Sequence, residues 1–249
     1  MIEFCTDDTL GYTRSRTRLA PGAGLILDEA YRLAHLPLVA PDHARVIATR
    51  DGTNYAMGRH PRVFSLGLPI PGEALLQAPA YRELERALRD SPFAAKVAWN
   101  ILAQRRSRLH ATICGSLAVG EKPDIAAPVR AALCRLGPVH IELRGLFSGS
   151  MNLGRLYLRV HPERRDGVNM IQQLQRSCGA RETDLYLVGT FNLVDDLDPR
   201  ETDALMRLID RWWDRPLLRL ELDHLWLLGA TDDLVLDDPV IEPIALADS

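Results

Sequence analysis

The chain has 249 residues, of which 47% are hydrophobic and 25% charged, and its formal net charge is −3. This length accommodates one large domain or two small lobes with hydrophobic cores, and the charge balance is too weak for a protein that binds duplex DNA. No apolar run approaches the roughly 18 residues of a membrane span, and the N-terminal residues MIEFCTDD lack signal-sequence features, so we expect a cytoplasmic protein with no membrane partner.

Turn-forming residues are frequent in the first 61 residues, which contain one short amphipathic stretch, LILDEAYRLAHL. The stretch ARVIATRDGTNYAM predicts a hairpin that turns near Asp51 and Gly52. We interpret residues 1–61 as an N-terminal extension that precedes the main domain.

From residue 62 onward, strand patterns and helix patterns follow one another in a regular series. The predicted strands are RVFSLGLPIP, RLHATICGSL, VHIELRGLF, GRLYLRVHP, LYLVGTFNLV and LLRLELDHLWLLGA. The predicted helices are AYRELERALRD, SPFAAKVAWNILAQR, AAPVRAALCRLG, VNMIQQLQRSC and DPRETDALMRLIDRWW. Ser91 is the expected N-cap of the second helix, and Asp198 and Glu201 have capping-box spacing in the last. Because strand, helix and strand follow one another twice, we predict an α+β fold with two similar halves.

The end of the chain is acidic. Residues 221–249 contain acidic side chains but no lysine or arginine, and we interpret residues 237–249 as an acidic C-terminal tail. All 30 lysines and arginines therefore precede residue 221, where they outnumber the acidic residues. This distribution permits a positive groove for a phosphate-bearing ligand.

The four cysteines, at positions 5, 114, 134 and 178, form no C-x-x-C pair and have no histidine at metal-ligand spacing. This pattern is typical of reduced, buried thiols rather than of a zinc site or a disulfide framework. We therefore predict no metal site and no cofactor.

The stretch RRSRLHATICGSL contains the strongest candidate for chemistry. Residues two apart in a strand share a face, so His110 and Thr112 point one way while their neighbours point toward a covering helix. In the second half, Thr190-Phe191-Asn192-Leu193 occupies the equivalent place, a strand immediately before a helix, and lines up with His110-Ala111-Thr112-Ile113. This second copy has no histidine.

In these features the sequence resembles the two-histidine phosphoesterases, which include RNA 2',3'-cyclic phosphodiesterases. The resemblance covers residues 62–236, through the order of elements and the stretches FSLGLPIP, LHATICGSL, GRLYLRVHP and LDHLWLL. It implies two pseudo-symmetric lobes of antiparallel sheet, covered by helices, around a central groove. Each lobe of the family contributes a His-x-Thr or His-x-Ser strand to that groove.

In that family one histidine acts as general base and the other as general acid, while the hydroxyls hold phosphate oxygens. Imidazole suits both roles because its ordinary pKa is about 6.5. The resemblance therefore implies that His110 is the acid/base group and that Thr112 holds phosphate. It implies substrate hydrogen bonds from Thr190 and Asn192. Arg108 is expected on the His110 face as an attractor of phosphate, ahead of Arg105 and Arg106, with Arg144 and Arg155 as further candidates.

Two functions from different classes follow. The first is a metal-independent phosphodiesterase that acts on a cyclic phosphate or a 2',5'-linked nucleotide or RNA end. The second is a non-catalytic module that binds a nucleotide or RNA end. A protein that uses a vestigial groove only for interaction is a third possibility. We expect a monomer whose partner is a phosphate-bearing small molecule, nucleotide or RNA end.

The remaining histidines fit structural or exposed positions. His224 is expected at a sheet surface. His140 and His161 flank the hairpin expected from the strands VHIELRGLF and GRLYLRVHP. Three more, at positions 35, 43 and 60, lie in the N-terminal extension and carry no signal of their own.

Overall fold

One antiparallel sheet organises the chain. The computed structural model describes residues 2–20, 22–237 and 239–247. Its strands are β1 (Glu3–Phe4), β2 (Arg59–Pro69), β3 (His110–Val119), β4 (Val139–Phe147), β5 (Arg155–Arg165), β6 (Val168–Asn169), β7 (Leu187–Asn192), β8 (Pro216–Leu222), β9 (His224–Asp232) and β10 (Val240–Ala245). The sheet curls into a half-barrel with helices packed around it.

The α-helices of the described residues are α1 (Tyr12–Ser15), α2 (Glu29–Ala34), α3 (Leu36–Val39), α4 (Gly72–Gln77), α5 (Pro79–Arg89), α6 (Asn100–Arg105), α7 (Ala127–Arg135), α8 (Met170–Ser177) and α9 (Pro199–Trp212). Short 3-10 helices cover Ala94–Lys96 and Arg106–Arg108. None of these helices is both long and apolar enough to cross a bilayer.

The sheet consists of two four-stranded halves. Its strand order is β10-β9-β2-β3-β7-β5-β4-β8, with β1 and β6 paired to β5. The halves meet where β3 runs antiparallel to β7, with Ala111 opposite Val188. The predicted α+β fold with two lobes of antiparallel sheet is therefore confirmed, and the candidate strand β3 lies at the junction between the lobes.

The last predicted helix begins as its sequence indicates. The Asp198 side chain accepts a hydrogen bond from the backbone N–H of Glu201 (2.8 Å), and the Glu201 carboxylate accepts from that of Asp198 (2.9 Å). This capping box satisfies backbone donors that the first helical turn leaves unpaired. Local sequence is sufficient here because every group involved lies within four residues.

Two predicted elements are wrong. The helix expected over residues 91–105 forms only as α6, because Val97 instead bridges to Leu193 and the N–H of Ala98 donates to the carbonyl of Asn192. The strand expected over residues 217–230 breaks at Asp223: β8 pairs with β4 in one lobe, while β9 pairs with β2 in the other. In both cases contacts with distant strands override the local pattern.

The first 61 residues pack into the same core as the rest of the chain. Strand β1 pairs with β5, and the buried Tyr12 hydroxyl donates to the carbonyls of Val160 (2.6 Å) and Tyr186 (2.9 Å). The expected hairpin is reduced to a bridge between Thr49 and Ala56. This segment covers part of the second lobe, and so helps to define the cleft described below.

Part of the predicted acidic tail is an edge strand. Within the described portion of residues 237–249, β10 pairs with β9, and Glu242 forms ion pairs with Lys122 and Arg130. Positions 238, 248 and 249 lie outside the described residues.

Candidate functional site

A cleft of about 330 Å³ lies on the sheet where the two lobes meet. The polar side chains of its lining come from four strands and the loop after β9: His60, Ser65, His110, Thr112, Arg155, Tyr157, Asp232 and Asp233. His110 and Thr112 are therefore on the same side of β3, as the alternation of a strand requires.

The ring of His110 has a defined tautomer. It lies over Gly67, where an added Cβ would approach the ring Cδ2 to 3.2 Å. Nδ1 is 2.8 Å from the carbonyl oxygen of Arg108, and since that oxygen can only accept, neutral His110 carries its proton on Nδ1. Nε2 is therefore left as an acceptor.

Burial and, to a smaller extent, the charges of Arg155 and Arg105 lower the pKa of His110 to about 4, although the hydrogen bond to Arg108 opposes the shift. His110 is thus neutral at physiological pH. A bound anion would offset the charge of Arg155 and raise this pKa, which would make Nε2 a better base when a ligand is present.

Arg155 is an unpaired cation in the same cleft. Its guanidinium lies directly against Gly189, where a Cβ would collide with Nε, Cζ and Nη2. No residue that the structure describes accepts a hydrogen bond from this guanidinium or forms an ion pair with it, and its Nε is buried. Cζ also lies 5.4 Å from the centroid of the Tyr157 ring. A guanidinium with free donors at the edge of a cleft is well suited to bind a phosphate.

A second histidine lines the cleft from the opposite end. Nε2 of His60 lies 3.4 Å from a carboxylate oxygen of Asp233, and Nδ1 lies 2.7 Å from the carbonyl oxygen of Pro61. Both partners are acceptors, so they favour the protonated ring, and the Asp233 bond raises the pKa of His60. No spacing in the sequence signals this pair, since its members are far apart in the chain.

Asp233 is held as a carboxylate. Its second oxygen accepts a hydrogen bond from the Tyr55 hydroxyl at 2.9 Å. Burial would raise the pKa of Asp233, but the hydrogen bond from His60 and the nearby positive charges outweigh it and lower the pKa to about 2. Asp233 is therefore a carboxylate throughout the neutral range. Within the described residues, no group of three or more His, Cys, Asp or Glu side chains is arranged to hold a metal ion.

Thr190 does not share the cleft with His110, which corrects the predicted alignment. On β7, Gly189 and Phe191 pair with the consecutive residues Tyr157 and Leu156, so Thr190 is the extra residue of a β-bulge. It is 1% exposed, and its hydroxyl donates to the carbonyl of Val188 at 3.1 Å. Thr190 instead borders a separate cavity among the helices.

Asn192 and Arg108 are also engaged elsewhere. Asn192 is fully buried and donates to the Tyr31 hydroxyl at 3.2 Å, beneath the N-terminal segment. Arg108 ends a 3-10 helix rather than continuing β3, and its guanidinium donates to the carbonyls of three residues of the loop after β9, Val235, Leu236 and Asp237. Its contribution to the cleft is the carbonyl that orients His110.

The lobe symmetry assigns the second motif to other residues. In an antiparallel pair, a local two-fold axis through Ala111 and Val188 relates the residue before one to the residue before the other. His110 therefore corresponds to Leu187, and Thr112 corresponds to Gly189. Both of these β7 residues line the cleft, and neither can carry a proton. The register of β3 against β7, which no local pattern in the sequence shows, makes this position three residues earlier than Thr190.

Burial of His35 adds a pH-dependent term to stability. Both ring nitrogens of this fully buried side chain lack a hydrogen-bond partner among the described residues, and burial lowers the pKa of His35 to about 3. As the pH falls below about 6.5, His35 takes up a proton in the unfolded chain but not in the folded protein. This difference lowers the free energy of unfolding by about 3 kcal/mol at pH 4.

We expect His35→Phe to remove this loss, because the aromatic ring is kept and no hydrogen bond is broken. Denaturant titrations at pH 7.5 and pH 4 measure the difference. An equal acid loss of stability in His35→Phe and the native protein would contradict this account.

The fold and the cleft define an α+β protein whose two sheet halves meet at a site with a neutral histidine, His110, and an arginine, Arg155, that has no hydrogen-bond acceptor among the described residues. No protein-family model and no curated protein matches the chain. Among solved structures it is similar to the crystal structure of TT0787 of Thermus thermophilus, with 14% identity and a TM-score of 0.39. The match covers 76% of this chain and 100% of that one.

Proposed function

We propose that this chain is a metal-independent phosphodiesterase that acts on a cyclic phosphate or a 2',5'-linked nucleotide or RNA end in the cleft. The observation that carries the proposal is the free guanidinium of Arg155 in the same cleft as the unprotonated Nε2 of His110. A phosphodiester has one negative charge and two non-bridging oxygens, which match the paired donors of a guanidinium.

The remaining groups complete a hydrolytic site. The exposed side chain of Thr112 follows His110 on the same face and supplies a hydroxyl to a phosphate oxygen. Water attacks phosphorus while its proton passes to Nε2 of His110, and the bond to the leaving oxygen breaks. The hydrogen bond from Nδ1 of His110 to the carbonyl oxygen of Arg108 keeps Nε2 directed at the ligand.

A binding module is the second candidate, and it is favoured by the residues of β7 that line the cleft. Leu187 and Gly189 stand where a second proton-transferring residue would be needed. In this case the cleft would bind the same ligands through Arg155 and Thr112 without turnover.

Arg155→Gln tests the shared basis of both candidates. Loss of a charge-assisted contact of about 1.5–3 kcal/mol should weaken binding of a 2',3'-cyclic nucleotide roughly 10- to 10²-fold. Calorimetry in EDTA gives the affinity, and a steady-state assay in EDTA gives any turnover. Arg181→Gln, an exposed arginine outside the cleft, is the matched control.

Unchanged affinity in Arg155→Gln would show that the ligand binds elsewhere. A native protein that neither binds nor hydrolyses cyclic and 2',5'-linked nucleotides would overturn the proposal and leave an interaction protein with a vestigial groove.

A further inference from the structure

We infer that Arg155, held against β7 by Gly189, takes the place of a second proton-transferring side chain, so that the cleft favours phosphodiesters whose leaving group departs unprotonated. This inference rests on the proposed hydrolytic function. It narrows the substrate class to five-membered cyclic phosphates and esters of acidic alcohols, and disfavours 2',5'-linked alkyl diesters.

The position of Arg155 depends on Gly189. Gly189 is related by the two-fold axis to Thr112, pairs with Tyr157 on β5, and lines the cleft. Since a Cβ here would overlap the guanidinium, only glycine lets Arg155 lie flat on the strand. The arginine thereby fills the side of the cleft that faces His110.

The other polar groups of the cleft are poor proton donors. His60 directs both nitrogens to acceptors, Asp233 and the carbonyl of Pro61. Asp232 is buried and accepts from backbone N–H groups of the loop that follows it. Burial raises the pKa of Tyr157 above its ordinary value, so its phenol keeps its proton.

These groups define the reaction step. Water supplies the attacking oxygen, and its proton goes to Nε2 of His110 while a new P–O bond forms. Arg155 donates hydrogen bonds to the non-bridging oxygens but keeps its protons, because a guanidinium stays protonated in proteins. The leaving oxygen departs with the electron pair of the broken P–O bond and takes a proton from bulk water. Release of ring strain assists this departure in a five-membered cyclic phosphate.

A leaving-group series tests the inference. For aryl methyl phosphate diesters that range from nitrophenyl to phenyl, we expect kcat/KM to fall by at least about 10²-fold as the leaving phenol becomes less acidic, since no group protonates it. A 2',3'-cyclic nucleotide should be hydrolysed, and a 2',5'-linked dinucleotide should not. A shallow dependence on the leaving group would overturn the inference.

Gly189→Ala tests the placement of Arg155. The colliding atoms lie at the end of a flexible side chain, so the guanidinium moves and the strand stays in place. We expect kcat/KM to fall by about 10- to 10²-fold for every ester with the same steep leaving-group dependence, because a charge-assisted contact is lost. Gly115→Ala on β3, where an added Cβ meets nothing closer than 4.0 Å, is the control.

Unchanged kinetics in a folded Gly189→Ala variant would overturn the role of Arg155 while leaving the proposed hydrolysis intact. Absence of turnover of any diester by the native protein would instead overturn the proposed hydrolytic function, and this inference with it.

Discussion

Replacing His110 with alanine should lower kcat/KM for a 2',3'-cyclic nucleotide by about 10²- to 10⁴-fold, the usual contribution of a general base. His110 is the cleft group whose nitrogen is both unprotonated at neutral pH and free of a partner in the described structure. Calorimetry should show a much smaller change in affinity, because Arg155 and Thr112 still hold the phosphate. His224→Ala, a histidine outside the cleft, is the control.

The pH profile of the native protein provides an independent check of the same prediction. With the pKa of His110 lowered to about 4, the free protein already has Nε2 available from about pH 5 upward. The kcat/KM value should therefore stay level between pH 6 and 8 and fall only as the pH approaches about 4. If kcat/KM instead falls below about pH 6.5, and the same fall is seen in His110→Ala, then another group is the base.

Leu187→His should raise turnover by up to about 10²-fold, because it places an imidazole at the position related to His110 across the lobe junction. The new side chain lines the cleft and can protonate the leaving oxygen, which the native protein leaves to water. The gain should be largest for esters of weakly acidic alcohols. Steady-state kinetics on the aryl series measures it, with thermal unfolding as the check on folding.

Thr190→His is the informative comparison. Its side chain starts from a buried position on the other side of β7, so it should destabilise the protein without raising turnover. If instead Thr190→His raises turnover and Leu187→His does not, then the alignment read from the sequence describes the site better than the two-fold relation between β3 and β7.

The sequence by itself determined the features that depend on near neighbours. Alternation placed His110 and Thr112 on one face of a strand, and capping-box spacing located the start of α9. The order of strands and helices also indicated an α+β fold with two halves. These signals lie within a few residues of one another, so local geometry is sufficient to produce them.

Only the tertiary structure decided which groups meet in the cleft. Among several arginines in the sequence, only the pairing of β5 with β7 places the guanidinium of Arg155 against Gly189. His60 carried no signal until the loop after β9 brought Asp233 against it. A bulge shifts the face of every residue that follows, and ion pairs between distant strands leave no spacing to detect. Both depend on the register of strands that are far apart in the chain, and that register is set by the packing of the whole sheet.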